Sequence, residues 1–252
     1  MSPMETIGRL NALIEVLTSS PRRVNKVFVD RDRRFGKIHE IVAEARRAKI
    51  PLVFVPRDKL DELDRNHQGA VALLSAKEFS SLDEILAANK NPVLVLLDEV
   101  EDPQNVGAIM RSAEAAGADG VVMPERRSTG LTDSVLSVSA GASEHLKVAR
   151  VKNLAQAMDR LKEAGVWLVG AEKDGQGLFY EFDYTVPVGL VLGSEGKGLR
   201  PLIRRQCDRV LSIPQRGRVN SLNVAAAASV FLFEVVRQRM TRELRQKKGE
   251  GR

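Results

Sequence analysis

The sequence predicts an α/β protein built on an open, mostly parallel sheet, and three observations support this. Helix and strand patterns alternate along the 252 residues. Segments 93–97 and 188–192 are almost entirely apolar, as expected of parallel strands that are covered on both faces. A polar segment at 75–91 separates a small first unit from a larger second one, so we expect two α/β units.

Residues 1–75 predict a small α/β unit with its own core. Apolar residues at helical spacing predict a helix over 6–17, and shorter patterns continue the alternation. The further elements expected are strands at 24–29, 51–55 and 70–74 and helices at 38–48 and 58–63. The polar segment then predicts a linker, 76–91, with a short helix over 82–88.

From Pro92 the alternation restarts, and it predicts a second domain over 92–252. The expected strands are 93–97, 120–123, 146–148, 166–169, 188–192 and 209–213. The expected helices are 106–116, 133–139, 154–162 and a final one that begins at Val224.

Composition favours a polyanionic partner, because the net charge is +6 and the basic residues are clustered. The first cluster contains Arg22, Arg23, Lys26, Arg31, Arg33, Arg34 and Lys37. The second contains Arg237, Arg239, Arg242, Arg245, Lys247, Lys248 and Arg252. The first cluster flanks a strand and favours contact with RNA phosphates. The second fits phosphate contacts and a solvated, frayed tail equally well.

Cysteine and histidine are scarce, which excludes several classes of protein. One Cys rules out an internal disulfide, and one Cys with three His argues against a metal site. Cys207 fits a small packed residue better than a nucleophile. The N-terminus lacks a signal-like pattern and no apolar run could span a bilayer, so we expect a cytoplasmic protein without a membrane partner.

Three segments carry functional residue types at strand ends, and the first follows strand 93–97. Asn105 stands at the opening of a helix, where capping is the plain structural alternative. Arg111 lies about two turns further along among small residues, which would let a second chain or a nucleic acid approach closely.

The second segment is Gly193-Ser194-Glu195-Gly196-Lys197-Gly198, directly after strand 188–192. Its glycines allow positive φ and close approach of the backbone to a ligand, although a tight turn would use them as well. The spacing matches neither a phosphate-binding P-loop nor a dinucleotide fingerprint.

The third segment runs from Leu211 to Arg239. A strand breaks at Pro214, and a polar loop leads to Ser221-Leu222-Asn223 and a long helix. The loop also holds Arg216, Arg218 and Asn220. In open α/β folds ligands bind between a strand end and a helix start.

In this order and spacing, the three segments resemble the SpoU (TrmH) family of RNA 2′-O-ribose methyltransferases. The resemblance covers about 92–240 and rests on Asn105 with Arg111, Gly193-Ser194-Glu195-Gly196, and Ile213-Pro214 with Ser221-Leu222-Asn223-Val224. The first unit looks like the family's ribosomal-protein-like RNA-binding domain, through Asn11-Ala12, Arg22-Arg23-Val24 and His67-Gln68-Gly69. Together they are similar to the bacterial 23S rRNA guanosine-2′-O-methyltransferase subgroup.

The resemblance implies a SPOUT-like domain whose C-terminal part forms a trefoil knot. S-adenosylmethionine would bind in the knot, with contacts from Gly193, Gly196, Ile213, Pro214 and Leu222. The family is dimeric, so the active site would join residues of both subunits. The final helix, from Val224 to Arg237, would then be partly interface.

The resemblance also implies roles in an in-line attack of a ribose 2′-oxygen on the cofactor's methyl group. Arg111 either accepts the proton or orients the phosphate and stabilises the alkoxide. Asn105 would position Arg111 or the ribose, and Glu195 would fix the knot loops through bonds to backbone N–H groups. Ser221 and Asn223 would hold the loop and orient substrate, with helix capping as the alternative.

The substrate implied is a guanosine of 23S rRNA. Two alternatives stay open: a tRNA or another rRNA position with the same chemistry, and a non-catalytic RNA-binding protein of the same fold. Arg216 and Arg218 are expected to contact the RNA backbone.

Overall fold

The computed structural model describes residues 5–33, 36–75, 77–217 and 221–249, and the chain divides into two units. The first comprises Met1–Glu78 with Leu131–His145, and the second comprises Phe79–Gly130 with Leu146–Arg252. Arg34, Arg218, Asn220 and Arg252 lie outside the described residues. Within those ranges, no helix combines the length and the apolar composition that a membrane span requires.

The helices and strands alternate along most of the chain. In order they are β1 (Glu5–Ile7), α1 (Leu10–Ser19), β2 (Val24–Asp30), α2 (Lys37–Arg47), β3 (Leu52–Val55), α3 (Arg57–Leu63), β4 (Ala70–Leu74), α4 (Leu82–Ala88), β5 (Val93–Asp98), α5 (Pro103–Ala115), β6 (Gly120–Pro124), α6 (Asp133–Val138), α7 (Ala142–His145), β7 (Lys147–Val151), α8 (Leu154–Glu163), β8 (Trp167–Ala171), β9 (Gly177–Leu178), β10 (Val188–Gly193), α9 (Pro201–Gln206), β11 (Arg209–Ser212) and α10 (Val224–Gly249).

The first unit holds a sheet in the order β1–β4–β2–β3. The prediction of one helix over 6–17 was wrong at its start, because β1 pairs with β4 in antiparallel fashion and α1 begins only at Leu10. Ile7 is buried in the same core as the apolar face of α1. Ile7 therefore has the spacing expected of an apolar helix residue, although it lies in a strand.

The segment Leu131–His145 packs with the first unit, although the sequence placed it in the second domain. Leu136 lies in the core of the first unit beside residues of α1 and β2. Arg23 forms ion pairs with Glu5, at 2.8 Å, and with Glu144. Lys77 donates to the carbonyl of Ser143. Arg23 was predicted to contact phosphate, but its guanidinium is paired with two carboxylates.

The second unit holds a wholly parallel sheet among the described strands, in the order β7–β6–β5–β10–β8–β11–β9, which confirms the predicted fold class. Every residue of β5 and β10 is buried. The two strands are neighbours with Gly193 opposite Asp98, so the first two segments leave the sheet side by side. The trefoil knot stays a prediction.

The start of helix α5 differs from the predicted one, at a place that affects the site. Helix α5 begins at Pro103 with Asp102 as its cap, accepting from the Gln104 N–H at 3.0 Å, so Asn105 is the third residue of the helix and does not cap it. Helix α4 has the predicted bounds, 82–88, but Leu82 and Ile85 lie in the core of the second unit, so the stretch predicted as a linker is partly core.

The last helix is anchored by an arginine of the basic tail. Arg239 donates to the carbonyls of Asn91 and Val186, both at 2.9 Å, and to that of Tyr184 at 3.1 Å. The Nε–H of Arg237 donates to Glu234 Oε2 at 2.7 Å. Helix α10 continues to Gly249, so the described part of the tail is helical. Arg237 and Arg239 are thus structural, whereas the sequence left phosphate contacts and a solvated tail open for this cluster.

Replacing Arg239 with methionine is expected to lower the free energy of unfolding by about 2–3 kcal/mol, because part-buried carbonyls lose their donors. Urea unfolding followed by circular dichroism measures the change. The same substitution at Arg245, which is exposed on the same helix, is the control. Equal urea midpoints for the two variants would contradict the anchoring role.

Candidate active site

The carboxyl ends of β5 and β10 are fixed to each other by a buried carboxylate. Asp98, at the end of β5, is fully buried. It accepts the backbone N–H of Arg200 at 2.8 Å and its Nε–H at 2.7 Å. The chain that follows β10 is therefore held against β5, and an Arg–carboxylate pair of this kind restricts the geometry strongly.

One buried amide joins the three segments that the sequence singled out. Asn105 is 6% exposed, and its Nδ2 donates to Glu195 Oε2 at 3.0 Å. Its Oδ1 accepts from Asn223 Nδ2 at 2.8 Å. The partners lie 90 and 118 residues away along the chain. We call these three residues the amide–carboxylate cluster.

The cluster corrects the predicted hydrogen bonds of its members. Among the described residues, Glu195 bonds to the Asn105 amide and not to backbone N–H groups. The side-chain amide of Asn105 forms its hydrogen bonds with Glu195 and Asn223, so it does not position Arg111 in the same chain. The capping alternative for Asn223 is confirmed, because its Oδ1 accepts the Ala225 N–H at 2.9 Å at the start of α10.

A cavity of about 190 Å³ opens beside the cluster. Of the residues predicted to bind the cofactor, Gly193, Gly196, Ile213 and Leu222 line it, and Pro214 does not. Glu195 and Ser221 line it too. The other lining residues, to which the sequence assigned no cofactor contact, are Ala171, Glu172, Lys173, Leu192, Ser194, Lys197, Gly198, Gln215, Val224, Ala227 and Phe231.

A tight loop forms one wall of this cavity. The N–H of Gly198 donates to the carbonyl of Ser194 at 2.9 Å, and the reverse bond measures 3.2 Å. A Cβ on Gly193 would lie 2.2 Å from the carbonyl carbon of Gly198. Glu172, at the end of β8, accepts the Leu199 N–H and holds the loop from the other side. Only glycine fits at position 193 while the loop keeps this shape.

Arg111 is not part of the cavity wall. Its side chain is exposed, and no described residue forms an ion pair or hydrogen bond with it. Arg111 lies six positions after Asn105, so the two side chains point about 120° apart around α5. Next to it, Ser112 bonds to Ser229 of α10 at 2.8 Å. Within one chain, the structure does not bring Arg111 to the other site residues.

The remaining predictions concern the loop after β11 and metals. Arg216 is exposed in that loop. In the described part of the chain, no group of His, Cys, Asp and Glu is arranged to hold a metal ion.

Cys207 is a packed residue, as the sequence predicts, and its environment disfavours the thiolate. Its Sγ donates to the carbonyl of Ile203 at 3.3 Å. Burial raises the pKa of the thiol to about 12, and the nearby Asp208 carboxylate adds to the rise.

We expect Ellman's reagent at pH 8 to react with Cys207 about 1000-fold more slowly than with an ordinary thiol, since the thiolate is the reactive form. The rate in guanidinium chloride, where the side chain is exposed, is the reference. A native rate close to the unfolded one would contradict the buried environment.

Comparison with known proteins bears on both units. The profile of the SpoU rRNA methylase family matches residues 92–233, and a profile for RNA 2′-O ribose methyltransferase substrate binding matches residues 10–80. YacO of Bacillus subtilis, named for the TrmH family of tRNA/rRNA methyltransferases, is 42% identical over 92% of this chain and 95% of its own.

Two solved structures match most of the chain. The SpoU methyltransferase AviRb from Streptomyces viridochromogenes, in complex with AdoMet, has a TM-score of 0.81 at 28% identity and covers 93% of this chain and 90% of its own. The AdoMet-bound rRNA methyltransferase from Sinorhizobium meliloti has a TM-score of 0.77 at 25% identity. The match covers 93% of this chain and 87% of its own.

Proposed function

The chain belongs to the SpoU rRNA methylase family, and from this premise we propose that it methylates the ribose 2′-hydroxyl of one guanosine in 23S rRNA. It is an RNA ribose-2′-O-methyltransferase of the SpoU/TrmH type that uses S-adenosylmethionine. The observation that carries the proposal is the amide–carboxylate cluster, which joins the three family segments at the edge of one cavity.

The cavity suits S-adenosylmethionine. Ile213, Leu222 and Phe231 provide apolar surface for a flat base, and the loop glycines present backbone groups that no side chain of their own covers. When bound, this cofactor supplies a methyl group that its sulfonium already activates. We propose that Gly193, Gly196, Ile213 and Leu222 hold it, with Pro214 acting through the shape of the loop.

The protein's own task is to deliver the ribose 2′-hydroxyl in line with that methyl group. We propose that Glu195 and Asn223, both fixed by Asn105, set the position of the loops that meet the ribose. Ser221 is exposed at the cavity and can bond to the substrate. Arg111 would stabilise the developing alkoxide or accept its proton.

We propose that Arg111 of the partner subunit completes the site, in a homodimer. The side chain is exposed and does not line the cavity of its own chain, so a second chain is the natural source. Helix α10 exposes an apolar stripe with Phe233 at 50%, Met240 at 56% and Leu244 at 58%. These positions share one face of the helix, and such a stripe is typical of a helix that packs against another protein surface.

The choice of ribosomal RNA rests on the family, and the choice of guanosine rests on the resemblance to the 23S rRNA guanosine subgroup. The matching profile is that of rRNA methylases, and the Sinorhizobium meliloti relative is described as an rRNA methyltransferase. The name of YacO gives both tRNA and rRNA as substrates of its family, so tRNA is the alternative substrate here. A non-catalytic RNA-binding protein would not need a complete cluster beside a ligand cavity. Action on ribosomal RNA would place the protein in the cytoplasm.

Mapping of ribose methylation in rRNA and tRNA from a strain that lacks the protein tests the substrate. We expect one 2′-O-methylguanosine of 23S rRNA to disappear, and the wild-type gene to restore it where the Arg111→Gln gene does not. Loss of a tRNA mark alone would contradict the proposal and establish the alternative.

A further inference from the structure

The first unit contains a cavity of its own, of about 410 Å³, lined in part by Asp30, Arg33, Arg57, His67, Gln68 and Gly69. The nearest part of α1 is Leu10, which also lines the cavity. The site described above lies wholly in the second unit, so this cavity has no role there.

The wall of this cavity is fixed by internal hydrogen bonds. The His67 side chain is 3% exposed, and its Nε2 lies 3.0 Å from Asp61 Oδ1. Its Nδ1 accepts the Gly69 N–H at 3.1 Å. Gln68 Oε1 accepts the Leu10 N–H at 3.2 Å at the start of α1. The His67-Gln68-Gly69 segment is therefore held on both sides before any ligand arrives.

Gly69 keeps the cavity open. Its φ is +108°, and a Cβ there would lie 3.0 Å from the Cδ of Arg33. A side chain at this position would push against the arginine that lines the cavity. The carbonyl of Gly69 accepts the Asp30 N–H at 2.9 Å, which places the Asp30 residue beside the opening.

The polar groups of the cavity have complementary charges. Arg33 donates through Nη1 to the Gln68 carbonyl at 3.2 Å, which orients its guanidinium. Arg57 is exposed, and no described residue forms an ion pair or hydrogen bond with it. Asp30 is buried, and its Oδ1 accepts the Asp32 N–H at 3.0 Å. The cavity thus combines two guanidinium groups with one carboxylate.

We propose that this cavity binds one unstacked guanosine of the substrate RNA, away from the reacting ribose. The Arg33 and Arg57 guanidiniums would bind the phosphate, as arginine does well. The Asp30 carboxylate would accept from the base, and guanine offers adjacent N1–H and N2–H₂ donors that match two carboxylate oxygens. Proteins read RNA sequence mainly through bases displaced from the stack. The proposal rests on the proposed function, because it takes the ligand to be RNA.

Binding of fluorescein-labelled RNA hairpins to the full-length protein, followed by anisotropy, tests this assignment. The hairpins differ only in a single bulged nucleotide, guanosine or uridine. We expect the wild type to bind the bulged-guanosine hairpin about tenfold more tightly than the bulged-uridine hairpin. The Asp30→Asn variant should bind both equally, and it keeps an oxygen to accept the Asp32 N–H, so the fold is preserved. Arg57→Gln should weaken both, while the exposed control Arg46→Gln should change neither.

Methyl transfer to rRNA from a strain lacking the protein separates this proposal from the proposed function. We expect Asp30→Asn and Arg57→Gln to raise KM for the RNA about tenfold, with kcat and cofactor affinity unchanged. Two results would overturn the guanosine site alone. One is a wild-type protein that methylates rRNA but binds the two hairpins equally. The other is a preference for the bulged-guanosine hairpin that survives Asp30→Asn. Competition by free GMP without a hairpin preference would make the cavity a mononucleotide site and overturn the RNA assignment. No transfer to any rRNA would instead refute the proposed function.

Discussion

Replacement of Arg111 with glutamine is expected to lower kcat for methyl transfer about 1000-fold, equivalent to about 4 kcal/mol of transition-state stabilisation. The reason is that the reacting oxygen develops negative charge, and among the described residues that line the cavity the basic side chains are Lys173 and Lys197. Cofactor affinity should change by less than about twofold, because Arg111 does not line the cavity.

The control for this variant is Arg205→Gln, which removes an exposed arginine of the same unit that does not line the cofactor cavity. Calorimetric titration with S-adenosylmethionine and single-turnover transfer to rRNA measure the two effects separately. A kcat within tenfold of the wild type would contradict a role for Arg111 in the chemical step.

The pH profile of Arg111→Lys distinguishes the two roles proposed for the arginine. Arginine stays protonated at ordinary pH, so a role as proton acceptor needs a strongly altered environment. A modest loss of rate with an unchanged profile would count against the base role and favour stabilisation of the alkoxide. A new dependence on pH would favour proton transfer at this position.

Replacement of Gly193 with alanine is expected to weaken S-adenosylmethionine binding at least about 100-fold, or about 2.7 kcal/mol. The added Cβ would lie 2.2 Å from the Gly198 carbonyl carbon and 2.4 Å from the Leu199 nitrogen. Both are backbone atoms, so the loop that lines the cavity must move. The shift in thermal midpoint that the cofactor causes in the wild type should be absent in the variant.

Gly165→Ala is the matched control for Gly193→Ala. Gly165 has a φ of +81°, so alanine is strained there, yet no atom lies within 4 Å of the added Cβ and the residue is outside the cavity. This variant should lose some stability and keep cofactor affinity. Equal losses of affinity in the two variants would show that general destabilisation, and not the shape of the loop, causes the effect.

The sequence predicted the parallel sheet and the segments that meet at the site, because both leave local patterns. The apolar runs of β5 and β10 identify strands that are covered on both faces. Parallel strands end at one edge of a sheet, so polar residues after such strands are expected to meet there. Asn105, Glu195 and Asn223 do so despite their separation along the chain.

The contacts that the sequence could not predict depend on long-range packing. Arg23 looks like any basic residue of its cluster until Glu144 is found beside it. Glu172 follows β8, and its position at a strand end was a usable signal that no motif emphasised. Phe231 lines the cavity from within an apolar helix, where it has the pattern of an ordinary core residue. The strand β1 was missed because Ile7 suits both a helical and an extended pattern.

Transfer of a labelled methyl group from S-adenosylmethionine to rRNA from a strain lacking the protein tests the central claim most directly. A 2′-O-methyl group blocks alkaline cleavage at its own nucleotide, so alkali releases the modified position as a dinucleotide. We expect the wild-type protein to place the label in one alkali-resistant dinucleotide that contains guanosine, and the Arg111→Gln protein to place almost none there. Label that alkali releases in mononucleotides would show methylation of a base, and it would contradict the claim that this chain methylates a ribose.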